Sequence, residues 1–527
     1  MLTALGHSVR LARAMLTFAR HAVFGPEWEF AELPSGIRRM MRLSRLAGRL
    51  IPAGRGKENS LAAALVALGP SYIKLGQFLA TRPDIVGTVH ARDLAALRDR
   101  LPPFPRQVAL DEIRSSLAAP VETLFTHFGE PVAAASIAQV HKAQRPAGIN
   151  GDDADRVVAV KILRPGIEKR LGDDLDSFFF AAGLIERNFP AMRRLKLVET
   201  VKMLAQSVKI EMDLRLEAAA ISEMAENIAN DAGFRVPMVD WSRTSRRVLT
   251  TEWIEGIALS DIESLKEAGH DCKKLADTLM RSFLKQVIRD GFFHADLHQG
   301  NLFVDSDGAI VAVDFGITGR LDRRERRFLA EILWGFTRRD YSGISRVHFE
   351  AGYVPHDRSP ALFAQALRAI GEPIMKKPAN EISMARLLGQ LFLVTEQFNM
   401  ATQTGLLLLQ KTMVVVEGVA RGLDPQFDMW RATEPVLRDW AKKLPGHDAA
   451  EAAETLKNLA SDLPGLLGKT ERMIRKIADN ALSDGVRFDD TIIKVSVDER
   501  RRRNHSGHIA FWICVGALIA LVLVQLL

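Results

Sequence analysis

Two short polar motifs constrain this chain more than anything else in its 527 residues. The first, HADLHQGN (His294 to Asn301), carries Asp296 and Asn301. The second is DFG (Asp314 to Gly316), and the stretch between them reads as hairpin-like. Alone, a three-residue DFG is an ordinary surface turn. Together the motifs supply two carboxylates and a carboxamide in a fixed order. Phosphoryl transfer asks a protein for that set: oxygen ligands to hold Mg²⁺ on phosphates, and a carboxylate near the attacking oxygen.

A matching lysine lies far upstream. In RVVAVKIL (Arg156 to Leu163) the β-branched Val157, Val158, Val160 and Ile162 predict a buried strand that carries Lys161. Taken singly, Lys161 is an edge-strand lysine facing water. The order Lys161, then Asp296 and Asn301, then Asp314 matches that of protein kinases, in which the strand lysine pairs with nucleotide phosphates. VLTTEWIEG (Val248 to Gly256) fits a strand running into a hinge, with Thr251 gatekeeper-like and the backbone of Glu252, Trp253 and Ile254 meeting the adenine. A helix carboxylate must then orient the lysine. The helical stretch Glu199 to Asn230 offers Glu211, Asp213 and Glu217; i, i+4 spacing places Asp213 and Glu217 on one face and Glu211 elsewhere.

The departures bear on function. No G-x-G-x-x-G occurs between residues 120 and 160; Ala133, Ala134, Ala135, Ser136, Ile137, Ala138, Gln139 and Val140 stand in its place. Glycine permits close backbone approach and positive φ where alanine largely does not, so this loop is expected to hold nucleotide phosphates differently. Ala295 replaces the arginine that reads a phosphorylated activation loop, and no Ala-Pro-Glu follows Gly316 to dock a peptide substrate. The expectation is a phosphoryl-transfer core without protein-kinase substrate machinery.

Over roughly residues 40 to 320 the chain resembles the UbiB proteins, an atypical kinase-like family linked to ubiquinone biosynthesis. The resemblance rests on KLGQ (Lys74 to Gln77), EMD (Glu211 to Asp213), Glu217, the Ala-rich loop AAASIAQVH and the form HADLHQGN. It implies that Glu217 pairs with Lys161, and that Glu211 and Asp213 meet the helix bearing Lys74 and Gln77 over the active site. It also implies ATP and Mg²⁺ binding with slow hydrolysis, and association with membrane lipid, with quinone precursors such as polyprenylphenols, and with the enzymes that modify them. On this reading Lys161, Glu217 and Asp296 are catalytic, Asn301 and Asp314 bind metal, and the Ala-rich loop with Glu252, Trp253 and Ile254 holds nucleotide. The pattern of Pro70 to Thr81 agrees with an amphipathic helix: Leu75, Phe78 and Leu79 share an apolar face, Lys74 and Gln77 another, and Gly76 permits close packing.

Net charge is +7, yet with only three tyrosines and no zinc or RNP motif, nucleic acid is excluded and the basicity is assigned to anionic lipid. Two cysteines, Cys272 and Cys514, make no disulfide framework. Residues 1 to 26 lack acids and carry Arg10, Arg13 and Arg20, with Val9, Ala12, Leu16 and Ala19 able to share a face; a transit peptide, an interfacial helix and an ordinary packing helix are the readings, and the interfacial helix is preferred. Ile509 to Leu527 is uncharged and follows Arg500 to Arg503, which predicts one C-terminal span in a bacterial inner membrane with the catalytic body cytoplasmic. A terminal span also offers a surface for a homodimer, although Gly516 alone makes no G-x-x-x-G. The expected fold is α+β and two-lobed, protein-kinase-like. Residues 1–115 form a helical extension, 116–330 the ATP-binding core, 331–498 a helical C-terminal region and 509–527 a transmembrane helix. Three functions compete: a Mg²⁺-dependent ATPase or atypical kinase of ubiquinone biosynthesis, a true protein or small-molecule kinase, and a non-catalytic nucleotide-gated scaffold. A ring hydroxylase finds no support, since there is no Rossmann motif and His141, His294 and His298 read as loop or core residues.

Overall fold

The computed structural model describes residues 2–21, 61–80, 101–146, 156–188, 196–375 and 404–440, with isolated positions between these stretches. Early helices are α1 (Leu2–Arg20), α2 (Leu61–Leu68), α3 (Pro70–Ala80), α4 (Arg106–Leu117) and α5 (Ile167–Asn188). α5, the apolar insertion after the lysine strand, is a platform for the helices before it. Its Asp173 takes a 2.6 Å bond from Arg10, Asp174 takes one of 2.5 Å from Ser71, and Phe178 meets the Tyr72 ring edge-on. α1 buries Leu11, Ala14 and Phe18, spaced as one helical face, and leaves Val9 and Leu16 exposed.

The small lobe is an antiparallel sheet of β1 (His127–Ala134), β2 (Ala138–Gln144), β3 (Val157–Leu163) and β4 (Val248–Glu252), in that order. Successive side chains of a strand face opposite ways. In β3, Val158, Val160 and Ile162 therefore join Phe125, Phe128 and the α4 residues Ala109 and Ile113 in one core, and Lys161 falls on the other face.

The stretch expected as one helix from Glu199 to Asn230 is two: α6 (Leu197–Glu211) and α7 (Leu214–Asn227). Asp213 breaks it, because its carboxylate caps α7 by accepting the Arg215 N–H at 3.1 Å. Asp213 and Glu217 thus do not share a face of one helix. An aspartate before a helical run is the signal that marks this start.

The large lobe is built on α8 (Cys272–Lys285), N-capped by Asp271, which buries Leu275, Leu279, Met280 and Phe283. Its last turn widens over Gln286–Asp290 and stops at Gly291. There φ is +69°, and a Cβ would meet the Leu321 carbonyl at 2.5 Å, so the sharp exit requires glycine. The chain then enters β6 (Phe292–His294), which pairs with β9 (Thr318–Arg320). Between them β7 (Leu302–Asp305) and β8 (Ile310–Ala312) form the hairpin between the two polar motifs, with β5 (Gly256–Ala258) paired to β7. Helices α9 (Arg323–Arg338), α10 (Tyr341–Glu350) and α11 (Pro360–Met375) gather a separate core around Tyr341, Ile344, Phe363 and Leu367. The helix α12 (Thr404–Leu423) instead buries Leu409, Val416 and Ala420 in the main core.

His348 sits inside the α10–α11 core against Phe363, with Nδ1 bonded to the Ile344 carbonyl at 2.8 Å. Burial pushes its pKa down to about 4 from an ordinary value of 6.5. The neutral imidazole's contribution is complete above pH 6.5 and is lost as pH falls toward 4. Between pH 7 and pH 4.5 this one group is expected to remove on the order of 2 to 3 kcal/mol of stability. Denaturant unfolding at the two pH values checks it; His348→Gln should shrink the difference by that amount, and an unchanged difference would contradict it.

The expected membrane span is corrected here. Among the described residues no helix is long and apolar enough to cross a membrane. The residues 509–527 on which the transmembrane helix and the single-span inner-membrane location rested lie outside them. The fold of the described residues is accordingly two-lobed α+β and kinase-like. Cys514, Gly516 and Arg500 to Arg503 also lie outside the described residues.

Candidate active site

Lys161 leaves β3 on its cleft-facing side and meets two carboxylates: Glu217 in the first turn of α7 at 2.7 Å, and Asp314 at 2.8 Å. Burial alone would push the ammonium down; the charges of Asp314 and Glu217 outweigh it and hold Lys161 above the ordinary lysine value. The Lys161 charge holds the carboxyl of Asp314, a half-exposed side chain, well below the usual carboxylate range. Burial pushes Glu217 up, opposed by Lys161. Asp314 is therefore the firmly ionised partner. It sits at φ +63°, in the left-handed region that aspartate and asparagine enter more readily than most residues.

The break at Asp213 divides the work of the acidic residues. Glu211, ending α6, pairs with Lys74 of α3 at 2.6 Å, both largely buried. Lys74 lies close enough for its charge to act on Asp314. Gly76 of the same helix is enclosed: a Cβ there would meet Leu97 at 2.5 Å and Leu65 at 2.7 Å. Gln77, the next residue of α3, is half-buried. Asp213 turns to its own helix start and to Arg215 at 2.7 Å.

The catalytic-loop motif is tied together by His294. Its Nδ1 accepts the Asp296 N–H at 3.1 Å, so Nε2 carries the proton donated to the Val313 carbonyl at 3.2 Å. Burial lowers the His294 pKa, which keeps the imidazole neutral for this double duty. Phe315 packs against the same ring at 4.6 Å. Asn301 Nδ2 donates to the Asp296 carbonyl at 3.1 Å, which leaves its Oδ1 for a ligand, and its own carbonyl accepts the Val313 N–H at 2.9 Å. Asp296, Asn301 and Asp314 are thus held on one frame.

The Ala-rich loop is a tight β1–β2 turn with Ala135 N–H bonded to the Ala138 carbonyl at 2.8 Å. Arg164 clamps it by donating twice to the Ala135 carbonyl, at 2.8 and 3.1 Å. Ala133 is exposed, and Ala134 and Val140 are partly so; Ser136, Ile137, Ala138 and Gln139 are buried. The Gln139 amide is engaged inside the lobe with both main-chain groups of Phe104 and with His141. At the hinge, Thr251 lies across from Ala159. The N–H groups of Glu252 and Trp253 donate to Met238 and Val157 carbonyls, so neither is left for an adenine. The Glu252 carboxylate is held by Arg235 at 3.0 Å, and Arg235 also reaches Asp305 of β7 at 2.7 Å. This strap joins the two lobes. It was invisible in the sequence, as was the Arg164 clamp, since neither has local spacing. Lys142 lies over the Trp253 ring at 4.8 Å, and Ile254 follows at the cleft edge, half-buried.

A lysine, three acidic groups and an amide between two lobes define an atypical kinase-like protein. Residues 96–348 match the ABC1 atypical kinase-like domain and residues 367–428 the UbiB helical domain. Over 481 residues the chain is 38% identical to a Marinobacter nauticus protein named "Probable protein kinase UbiB", covering 90% of this chain and 85% of that one. The protein of the same name from Azotobacter vinelandii is 35% identical over 525 residues, 97% of this chain and 93% of its own length. The chain belongs to the UbiB family.

Proposed function

We propose that this chain is an atypical kinase or ATPase that uses ATP with Mg²⁺ in support of ubiquinone biosynthesis, acting on polyprenylphenol intermediates or on the enzymes that modify them. The observation that carries the reading is Lys161 between Glu217 and Asp314, with Asn301 and Asp296 on the adjoining loop. The donor set suits Mg²⁺. Among the described residues no group of three or more His, Cys, Asp or Glu could hold a metal unaided. Mg²⁺ is ordinarily bound by one or two carboxylates plus water and substrate phosphates, which is what Asp314 and the Asn301 amide oxygen would provide for. When bound it neutralises charge building on the phosphates.

The protein's own part is positional. Lys161, oriented by Glu217, holds phosphate oxygens. Asp296 accepts the hydrogen bond of the attacking water or hydroxyl, whose oxygen bonds to the γ-phosphorus as the bridge to ADP breaks and the proton leaves through that carboxylate. A small or aqueous acceptor is favoured over a peptide. From Gly316 the chain passes straight through β9 to the Asp322 cap of α9, and the Lys74–Glu211 pair crowds the cleft. Contact with lipid is supported by Val9 and Leu16, exposed on α1, a helix that also carries Arg10, Arg13 and Arg20. Phosphate release from Mg-ATP should rise severalfold with anionic vesicles holding a polyprenylphenol mimic. Release indifferent to both additions would contradict the lipid assignment.

A further inference from the structure

Among the described residues the carboxylate of Asp296 has two cationic or protonatable neighbours, and one comes from outside the kinase core. His298 of the same loop lies 3.7 Å from Oδ2. Lys411 of α12 lies 3.8 Å from Oδ1. The next residue, Thr412, is 1% exposed, and its hydroxyl reaches the Ala295 carbonyl at 3.0 Å and the Leu408 carbonyl at 2.8 Å. A helix from the UbiB helical domain is thus bonded to the main chain immediately before Asp296 and carries a cation to that side chain. Burial of Leu409, Val416 and Ala420 in the main core fixes the rotation of α12 that makes this possible.

From this geometry we infer that Lys411 is the positioning residue of Asp296, and that the helical domain completes the active site of the kinase core. The inference rests on the functional reading above. An attacking oxygen must meet the carboxylate at a set angle, and Asp296 is only partly buried, with its main-chain groups alone held by His294 and Asn301. Lys411 supplies a fixed charge on one carboxylate oxygen and leaves the other toward His298. Its own side chain is 43% exposed, so it adds little to the packing of α12. The same exposure leaves the ammonium open to solvent beside Asp296, where a cation near a transferring phosphoryl group is favourable.

The test uses the full chain with Lys411→Met and Lys411→Arg, read by ATP turnover, nucleotide affinity by calorimetry and thermal midpoint. Lys411→Met is expected to lower kcat roughly ten- to hundredfold, with nucleotide Kd within about twofold and an unchanged thermal midpoint, and Lys411→Arg to restore most of the rate. Lys411→Met with an unaltered kcat overturns the inference, as does a loss in kcat accompanied by a fallen midpoint that arginine does not rescue. If the unaltered chain binds no nucleotide and turns none over, the functional reading and this inference fail together. Turnover lost in Asp314→Asn but untouched in Lys411→Met removes the inference alone.

Discussion

Asp314→Asn is expected to abolish Mg²⁺-dependent nucleotide binding in a protein that still folds. The two halves of that result have separate physical origins. Asparagine is nearly the same shape as aspartate and shares its tolerance of the left-handed backbone, so the φ of +63° at this position costs it little. Lys161 keeps Glu217 at 2.7 Å and is not left as a buried cation without a counter-charge. What disappears is the negative charge that Mg²⁺ needs. Loss of a group that merely supports a metal ligand costs about ten- to hundredfold in affinity, and loss of a ligand's charge should cost at least the upper end of that range. Calorimetric titration with ATP, with and without Mg²⁺, beside a thermal melt, checks both halves. Retained Mg²⁺-dependent affinity in the folded variant would show that Asp314 is not the metal residue.

Asp296→Asn is expected to separate binding from chemistry. The asparagine keeps the main-chain bonds to His294 and from Asn301, so the loop that holds the Asn301 amide stays in place. It cannot take a proton from an attacking oxygen. Nucleotide affinity should therefore hold within about twofold while turnover falls by roughly 10² to 10⁴. This variant also separates an enzyme from a nucleotide-gated scaffold. Cells whose quinone synthesis depends on this chain should lose it with Asp296→Asn if turnover is required, and keep it if nucleotide binding suffices. Near-normal turnover in the purified variant would move the attacking-oxygen role to another group.

Much of this site was legible in the sequence because phosphoryl transfer ties residue type to short spacing. Asp296 with Asn301, and Asp314 before Phe315, lie on one loop–hairpin–loop unit whose register a few local bonds set. Lys161 could be placed because alternation along β3 sends it to the face opposite Val158 and Val160. Glu211 and Asp213 were both placed against the helix of Lys74 and Gln77 by family resemblance; the structure brings Glu211 to Lys74 at 2.6 Å and turns Asp213 to Arg215 instead, and nothing in the local pattern of either helix names the Lys74–Glu211 pairing. Asp213 was misread because helical periodicity was extended through it, when the capping preference of aspartate competes with periodicity and here prevails. The rest was hidden by distance along the chain. The Arg235 strap to Glu252 and Asp305, the platform role of α5 and the arrival of Lys411 beside Asp296 each join residues whose neighbourhoods carry no sign of each other. At the hinge the Glu252 and Trp253 N–H groups are taken by the Met238 and Val157 carbonyls, pairings that strand-like sequence does not announce.

The central claim is that the Lys161–Glu217–Asp314 cluster and the Asp296 loop form one phosphoryl-transfer site. It is tested most directly by phosphate release from γ-labelled ATP by the purified full chain, with Mg²⁺ present or chelated, in parallel with Asp314→Asn. The account predicts slow release that requires Mg²⁺ and is lost in the variant. Release that persists equally in Asp314→Asn or under chelation would place the chemistry elsewhere and contradict the account.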